Sequence, residues 1–93
     1  MIVSFGDART EHLYDGEHVK GFPSELVSVA WRKLDMLNRA RTLEDLRIPP
    51  ANRLEALKGD LRGFHGIRMN DRWRVVFQWR DGDAEAVRIV DYH

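Results

Sequence analysis

Two periodicities divide this chain of 93 residues: apolar positions recur at helical spacing up to Pro49-Pro50 and alternate beyond it. Residues 1–5, Met-Ile-Val-Ser-Phe, are rich in strand formers and end at Gly6 and Asp7, which predicts a short edge strand. Residues 8–14 then carry a helical pattern, with Asp7 placed to cap it and Gly16 placed to stop it. Pro23 and Ser24 open the longest helix, which reaches Ala40. Val27, Ala30, Trp31, Leu34 and Leu37 share its apolar face, and Arg32, Lys33, Asp35 and Arg39 occupy the other side. Thr42 with Asp45 three positions later is a capping signature for one further turn, and the two prolines end any helix before them.

Three runs of strand-forming residues follow, 65–69, 73–79 and 86–90, separated by Asn70-Asp71 and by Asp81-Gly82-Asp83. An Asp-Gly between two such runs is a hairpin signal, and residues 53–57 are a candidate fourth strand. The order is strand, two helices, then an antiparallel meander. It predicts one α+β domain over residues 1–93, with the helices packed on one face of the sheet.

Alternation along residues 73–79 puts Trp73, Val75, Phe77 and Trp79 on one face and Arg74, Val76, Gln78 and Arg80 on the other. Burying aromatic and aliphatic side chains contributes about 1.5–3 kcal/mol each, whereas burying an unpaired guanidinium costs several, so the aromatic face is the inner one. By the same rule Ile67 turns inward and Arg68 outward. Arg68 and Arg74 then share the outer face on adjacent strands, with Lys58 shortly before the first of them.

Charge adds a direction to this picture. The chain is formally neutral, yet between residues 53 and 80 seven Lys and Arg stand against three acids, a local +4 (Arg53, Lys58, Arg62, Arg68, Arg72, Arg74 and Arg80). A positive patch inside a balanced total points to an anionic partner met at one face. With no cysteine there is neither a disulfide nor a thiolate metal site, and the chain has no cysteine-histidine or glycine-rich phosphate motif, so no metal or other cofactor is expected. The N-terminal stretch is too briefly apolar for a signal peptide or membrane span, which predicts a soluble cytoplasmic protein that avoids membranes.

RNA cleavage suits such a face. It needs a base for the 2′-hydroxyl proton, cations around the phosphorane and an acid for the leaving 5′-oxygen. Arg68 and Arg74 fit the second role, because a guanidinium grips two phosphate oxygens and stays charged. His93, Tyr92 and Lys58 are candidates for moving protons, and Tyr92 for stacking an unpaired base. Charge and alternation leave open a purely solvating face. His12 and His18 have no metal-ligand spacing, and Trp31, Trp73 and Trp79 fit the core better than a stacking platform.

The string NRLEALKGDLRGFHGIRMNDRWRVVFQW, the DG turn after it and the ending VRIVDYH together resemble the HigB toxins of the RelE superfamily, the plasmid-maintenance killer proteins. The segments MIVSF, YDGEHVKGFP and LEDLRIPP extend the resemblance over essentially the whole chain. It implies a RelE-like fold, an N-terminal strand and two helices on a curved antiparallel sheet. It implies a type II toxin, a ribosome-dependent, metal-independent endoribonuclease that cleaves mRNA in the ribosomal A site and inhibits translation. A HigA-like helix-turn-helix antitoxin would hold it inactive. Matched by motif, Lys58 of LKGD, Arg68 of IR, Arg74 of WR, Tyr92 and His93 would be catalytic, with Arg53, Arg62 and Arg72 binding RNA. Some members carry histidine where this chain has Glu55, which makes Glu55 a candidate general base, and others carry arginine where it has Asn70. The alternative is a non-catalytic RNA- or protein-binding module that keeps the RelE-like fold.

Overall fold

The computed structural model describes residues 1–91. Helix α1, Ala8–Tyr14, starts as the sequence predicts: Asp7 Oδ1 accepts a hydrogen bond from the Thr10 N–H at 2.8 Å. Helix α2, Val27–Arg39, begins slightly later than expected. Ser24–Leu26 forms a tighter 3-10 turn, in which the Leu26 N–H bonds to the Pro23 carbonyl at 3.0 Å. Ala30, Leu34 and Leu37 are fully buried, but Val27 and Trp31, expected on the same face, are each 43% exposed. The short α1 covers only part of that face. The Trp31 ring stacks on Tyr14 at 6.0 Å, and its Nε1 donates to the Tyr14 carbonyl at 3.2 Å, so the indole lies on the rim of the helix pair.

The predicted cap at Thr42 is a full capping box. Thr42 Oγ1 accepts from the Asp45 N–H, and Asp45 Oδ2 accepts from the Thr42 and Arg41 N–H groups at 3.1 and 2.9 Å. Those backbone donors, Arg41 first and Thr42 second, hold the Asp45 carboxyl below its ordinary range.

Beyond Pro49-Pro50 come four antiparallel strands: β1, Glu55–Ala56; β2, His65–Arg68; β3, Trp73–Arg80; and β4, Asp83–Asp91. They lie in chain order. The Asp-Gly signal is realised as a two-residue hairpin, with φ of 51° at Asp81 and 83° at Gly82, the left-handed pair that matches strand twist. Residues 1–5 lie parallel beside β4 through two isolated bridges, Ile2 to Ala84 and Phe5 to Val87, in place of the predicted regular strand. The break has a local cause: Ala86 is left-handed, at φ 51°, and its N–H turns to Ser4 Oγ at 2.8 Å. Gly6 passes so close that a Cβ there would meet the Ala86 carbonyl oxygen at 2.8 Å.

Ile67, Val75, Phe77, Val87 and Ile89 of the sheet form one apolar cluster with Leu13, Ala30, Leu34 and Leu37 of the helices and with Leu46. Thr10 ties α1 to β4, since its Oγ1 accepts the Ile89 N–H at 3.0 Å. Trp73 and Trp79 are half-buried at the ends of β3, and Phe22 meets Trp73 edge-on at 5.5 Å. The predicted sidedness of β3 holds for Val75 and Phe77. Val76 also takes the outward side that alternation gives it, opposite Gly66 and Arg88, yet it is fully buried there. Leu57, 7% exposed, folds over that side of the sheet, and a Cβ at Gly66 would touch both Leu57 and Val76.

Candidate nucleic-acid interface

Residues directly opposite across antiparallel strands point to the same face, so the register defines the outer surface. One row runs Glu55, Gly66, Val76, Arg88, and the next runs Arg68, Arg74, Val90. Leu57 and Val76 give this face an apolar floor, and the cations stand around it.

Arg68 and Arg74 are register partners on β2 and β3. Like charges directly opposite each other destabilise a sheet unless anions come between them, so each guanidinium is held by local acceptors. Arg68 forms an ion pair with Asp71, whose side chain is 92% exposed. Arg74 Nη1 donates to the carbonyls of Asn70, at 2.7 Å, and Trp73, at 3.3 Å. Asn70 also shapes the turn, because its Oδ1 accepts the N–H groups of Arg72 and Trp73 at 2.9 and 2.8 Å. Both arginines therefore stand at the mouth of the β2–β3 hairpin, positioned by one turn.

The other expected residues spread around this pair. Arg53 has a left-handed backbone, φ 46°, and shares a cleft of about 360 Å³ with Arg68. Glu55 is exposed on β1 opposite Gly66, on the same face as the pair. Lys58 and Arg62 are exposed in the loop from β1 to β2; since Ala56 pairs with His65, that loop leaves β2 at the end away from Arg68. Arg72 grips Asp91 with two bonds, at 3.2 and 2.5 Å, which holds it firmly in its charged form. Tyr92 and His93 lie outside the described residues.

Two cations escaped the sequence reading. Arg88 faces outward on β4 opposite Val76, with its guanidinium 5.9 Å from the Phe64 ring centre. The same alternation, extended to β4, identifies it: Val87 and Ile89 are buried on either side. Lys33 of α2 lines the cleft beside Arg53 and Arg68, and its Nζ donates to Asn52 Oδ1 at 2.6 Å. Burial first, and the neighbouring Arg32 second, push its pKa down. No local pattern announces Lys33, because the fold alone brings α2 to this part of the sheet. His65, the register partner of the buried Phe77, turns inward and stacks on it with ring centres 6.2 Å apart.

The chain is similar to known proteins in both sequence and fold. A sequence model of the family described as HigB-like toxin, "RelE-like toxin of type II toxin-antitoxin system HigB", matches residues 3–93. Toxin HigB-1 of Vibrio cholerae serotype O1 is 42% identical over 85 residues, 90% of this chain and 90% of the relative. Endoribonuclease HigB of Proteus vulgaris is 30% identical over 93 residues, the whole of both chains. Among solved structures, the YoeB-YefM complex from Staphylococcus aureus matches with a TM-score of 0.61 at 17% identity, covering 100% of this chain and 98% of the other. A YafQ mutant from E. coli matches with a TM-score of 0.62 at 12% identity, covering 98% and 93%.

Proposed function

The chain belongs to the HigB-like family, the RelE-like toxins of type II toxin-antitoxin systems, and from that premise we propose that its outer sheet face cleaves mRNA held on the ribosome. It is an endoribonuclease, as the Proteus vulgaris relative aligned over its full length is by name. The observation that carries the mechanism is the cross-strand pair of Arg68 and Arg74, two guanidinium groups turned to one face by a single turn.

Attack of a 2′-hydroxyl on the adjacent phosphorus builds negative charge on the phosphorane oxygens. Arg68 and Arg74 receive that charge from two sides, and an incoming phosphate displaces the exposed Asp71 carboxylate from Arg68. Glu55 stands on the same face and is the candidate base for the 2′-hydroxyl proton. Tyr92 and His93 are assigned to placing the base and returning a proton to the leaving 5′-oxygen. Lys58 is assigned with the pair to phosphate binding and transition-state stabilisation, Arg62 and Arg72 extend the positive rim along the RNA, and Arg53 extends it into the cleft. The constellation is open and lacks a tightly bonded base and acid pair among the described residues, so much of the rate comes from the ribosome fixing the RNA in line.

A type II toxin has an antitoxin as its partner. Here it is a small HigA-like helix-turn-helix protein, and the ribosomal A site with its mRNA is the target, which places the protein in the cytoplasm. Induced expression of the chain alone is expected to arrest growth within a few generations and leave transcripts cut inside translated frames, and co-expression of the neighbouring antitoxin restores growth. Unimpaired growth at full expression would instead favour the non-catalytic module, in which Glu55 marks a lost base.

A further inference from the structure

The cleft beside the arginine pair is lined by Lys33, Ala51, Arg53, Arg68, Met69 and Asn70. Its three cations come from three separate segments: α2, the turn after Pro50–Asn52 and the end of β2. Among the described residues no carboxylate lines it, and Asp71 meets Arg68 with a side chain that is 92% exposed. Convergence of like charges around a concave surface is unfavourable until an anion enters, and such a concavity focuses a positive field on the ligand.

The fold holds these groups in place. Asn52 is fully buried; its amide donates to the Leu46 carbonyl at 3.1 Å and to Met36 Sδ at 3.0 Å, which leaves its Oδ1 to accept from Lys33 at 2.6 Å. A buried, fully engaged amide thus anchors the lysine. Arg53 follows directly in a left-handed backbone, a conformation that is uncommon outside glycine, asparagine and aspartate and recurs where a site needs it. Partial burial first, and Arg32 outside the cleft second, push the pKa of Lys33 down, and a bound anion would oppose that shift.

We propose that this cleft is a second phosphate seat, in which Lys33 and Arg53 hold a backbone phosphate of the RNA flanking the one cleaved between Arg68 and Arg74. Its place on the strand follows from Arg68, which lines the cleft and also stands opposite Arg74, so a strand crossing the pair runs on into the cleft. A volume of about 360 Å³ takes a phosphate with its sugar. The seat rests on the endoribonuclease reading for its ligand.

The test measures binding of a uniformly 2′-O-methylated, uncleavable single-stranded oligonucleotide across a range of salt. Arg53→Asn suits the left-handed backbone and removes the charge; Lys33→Gln removes the other cation, and Lys33→Arg retains it. Arg53→Asn and Lys33→Gln are each expected to weaken binding about five- to tenfold, and together to flatten the salt slope by about 0.7, one phosphate on a single strand. Lys33→Arg, which keeps the charge but not the fit to Asn52, is expected to bind between the original chain and Lys33→Gln, and a control on the exposed Lys20, Lys20→Gln, keeps wild-type affinity and slope. Wild-type affinity and slope in the doubly substituted Lys33→Gln, Arg53→Asn protein overturn the seat. Cleavage of ribosome-bound mRNA by the unaltered chain is measured beside it. Weakened binding without any cleavage supports the seat and removes the nuclease reading, and normal cleavage with unaltered binding does the reverse.

Discussion

Replacing Arg68 and Arg74 together by alanine is expected to lower mRNA cleavage by at least about a thousandfold and to abolish growth arrest, with the fold retained. Removing one preorganised donor to a developing oxyanion lowers a rate by about 10²–10³, and an arginine on a transferring phosphoryl group contributes about 10³–10⁵. Two arginines on one phosphorane act as a unit, so the double variant falls by less than the product of the singles. Structure tolerates the change. The Arg68–Asp71 pair is an ion pair with an exposed acid, worth about 0–1 kcal/mol, and Asn70 still closes the hairpin turn through the N–H groups of Arg72 and Trp73. Arg74→Lys separates charge from geometry: it keeps the cation and loses the planar fork, and an intermediate rate is expected. Melting and far-ultraviolet circular dichroism accompany the kinetics. If the double alanine variant stays folded and cuts as fast as the original chain, the assignment of the pair is wrong.

The second large effect lies under the site. Phe77→Ala is expected to lower stability by about 3–5 kcal/mol and the melting temperature by on the order of 20 °C. Phe77 is fully buried in β3, where it stacks on His65 at 6.2 Å and meets Trp79 edge-on at 6.3 Å. Domains of this size are stable by about 5–15 kcal/mol, so the loss takes much of the margin that holds β2 against β3. Arg68 and Arg74 keep their register only while those strands stay paired. Calorimetry on the variant measures the effect; a melting temperature within about 5 °C of the original would place the core elsewhere.

Much of this was legible in the sequence because the signals were local. Asp7 reads as a cap, Asp81-Gly82 as a hairpin and the strand alternation as an inward Phe77 and outward Arg74, and each needs only neighbouring residues. What alternation misjudged was set by distant chain. Val76 points away from the main cluster yet is buried, because Leu57 folds over it, and nothing in residues 73–79 records that. Trp31 fits a helical stripe but stays 43% exposed, stacked on Tyr14 at the rim of the seven-residue α1. Residues 1–5 have strand composition, and their ladder is broken from the other side by the left-handed Ala86. For the site, register confirms that Arg68 and Arg74 oppose each other and sets Lys58 and Arg62 toward the far end of β2. Lys33 entered only through the buried Asn52, nineteen positions along the chain. Tyr92 and His93 rest on motif resemblance.

The most direct measurement is cleavage of a defined mRNA by the purified chain, with and without translating ribosomes. The predicted result is cutting within the translated frame of ribosome-bound mRNA, with a 2′,3′-cyclic phosphate or its hydrolysis product at the upstream end and a 5′-hydroxyl downstream. The same mRNA free in solution is cut far more slowly. Intact ribosome-bound mRNA, or equal cutting of the free strand, would contradict a nuclease whose open arginine face depends on the ribosome to align its substrate.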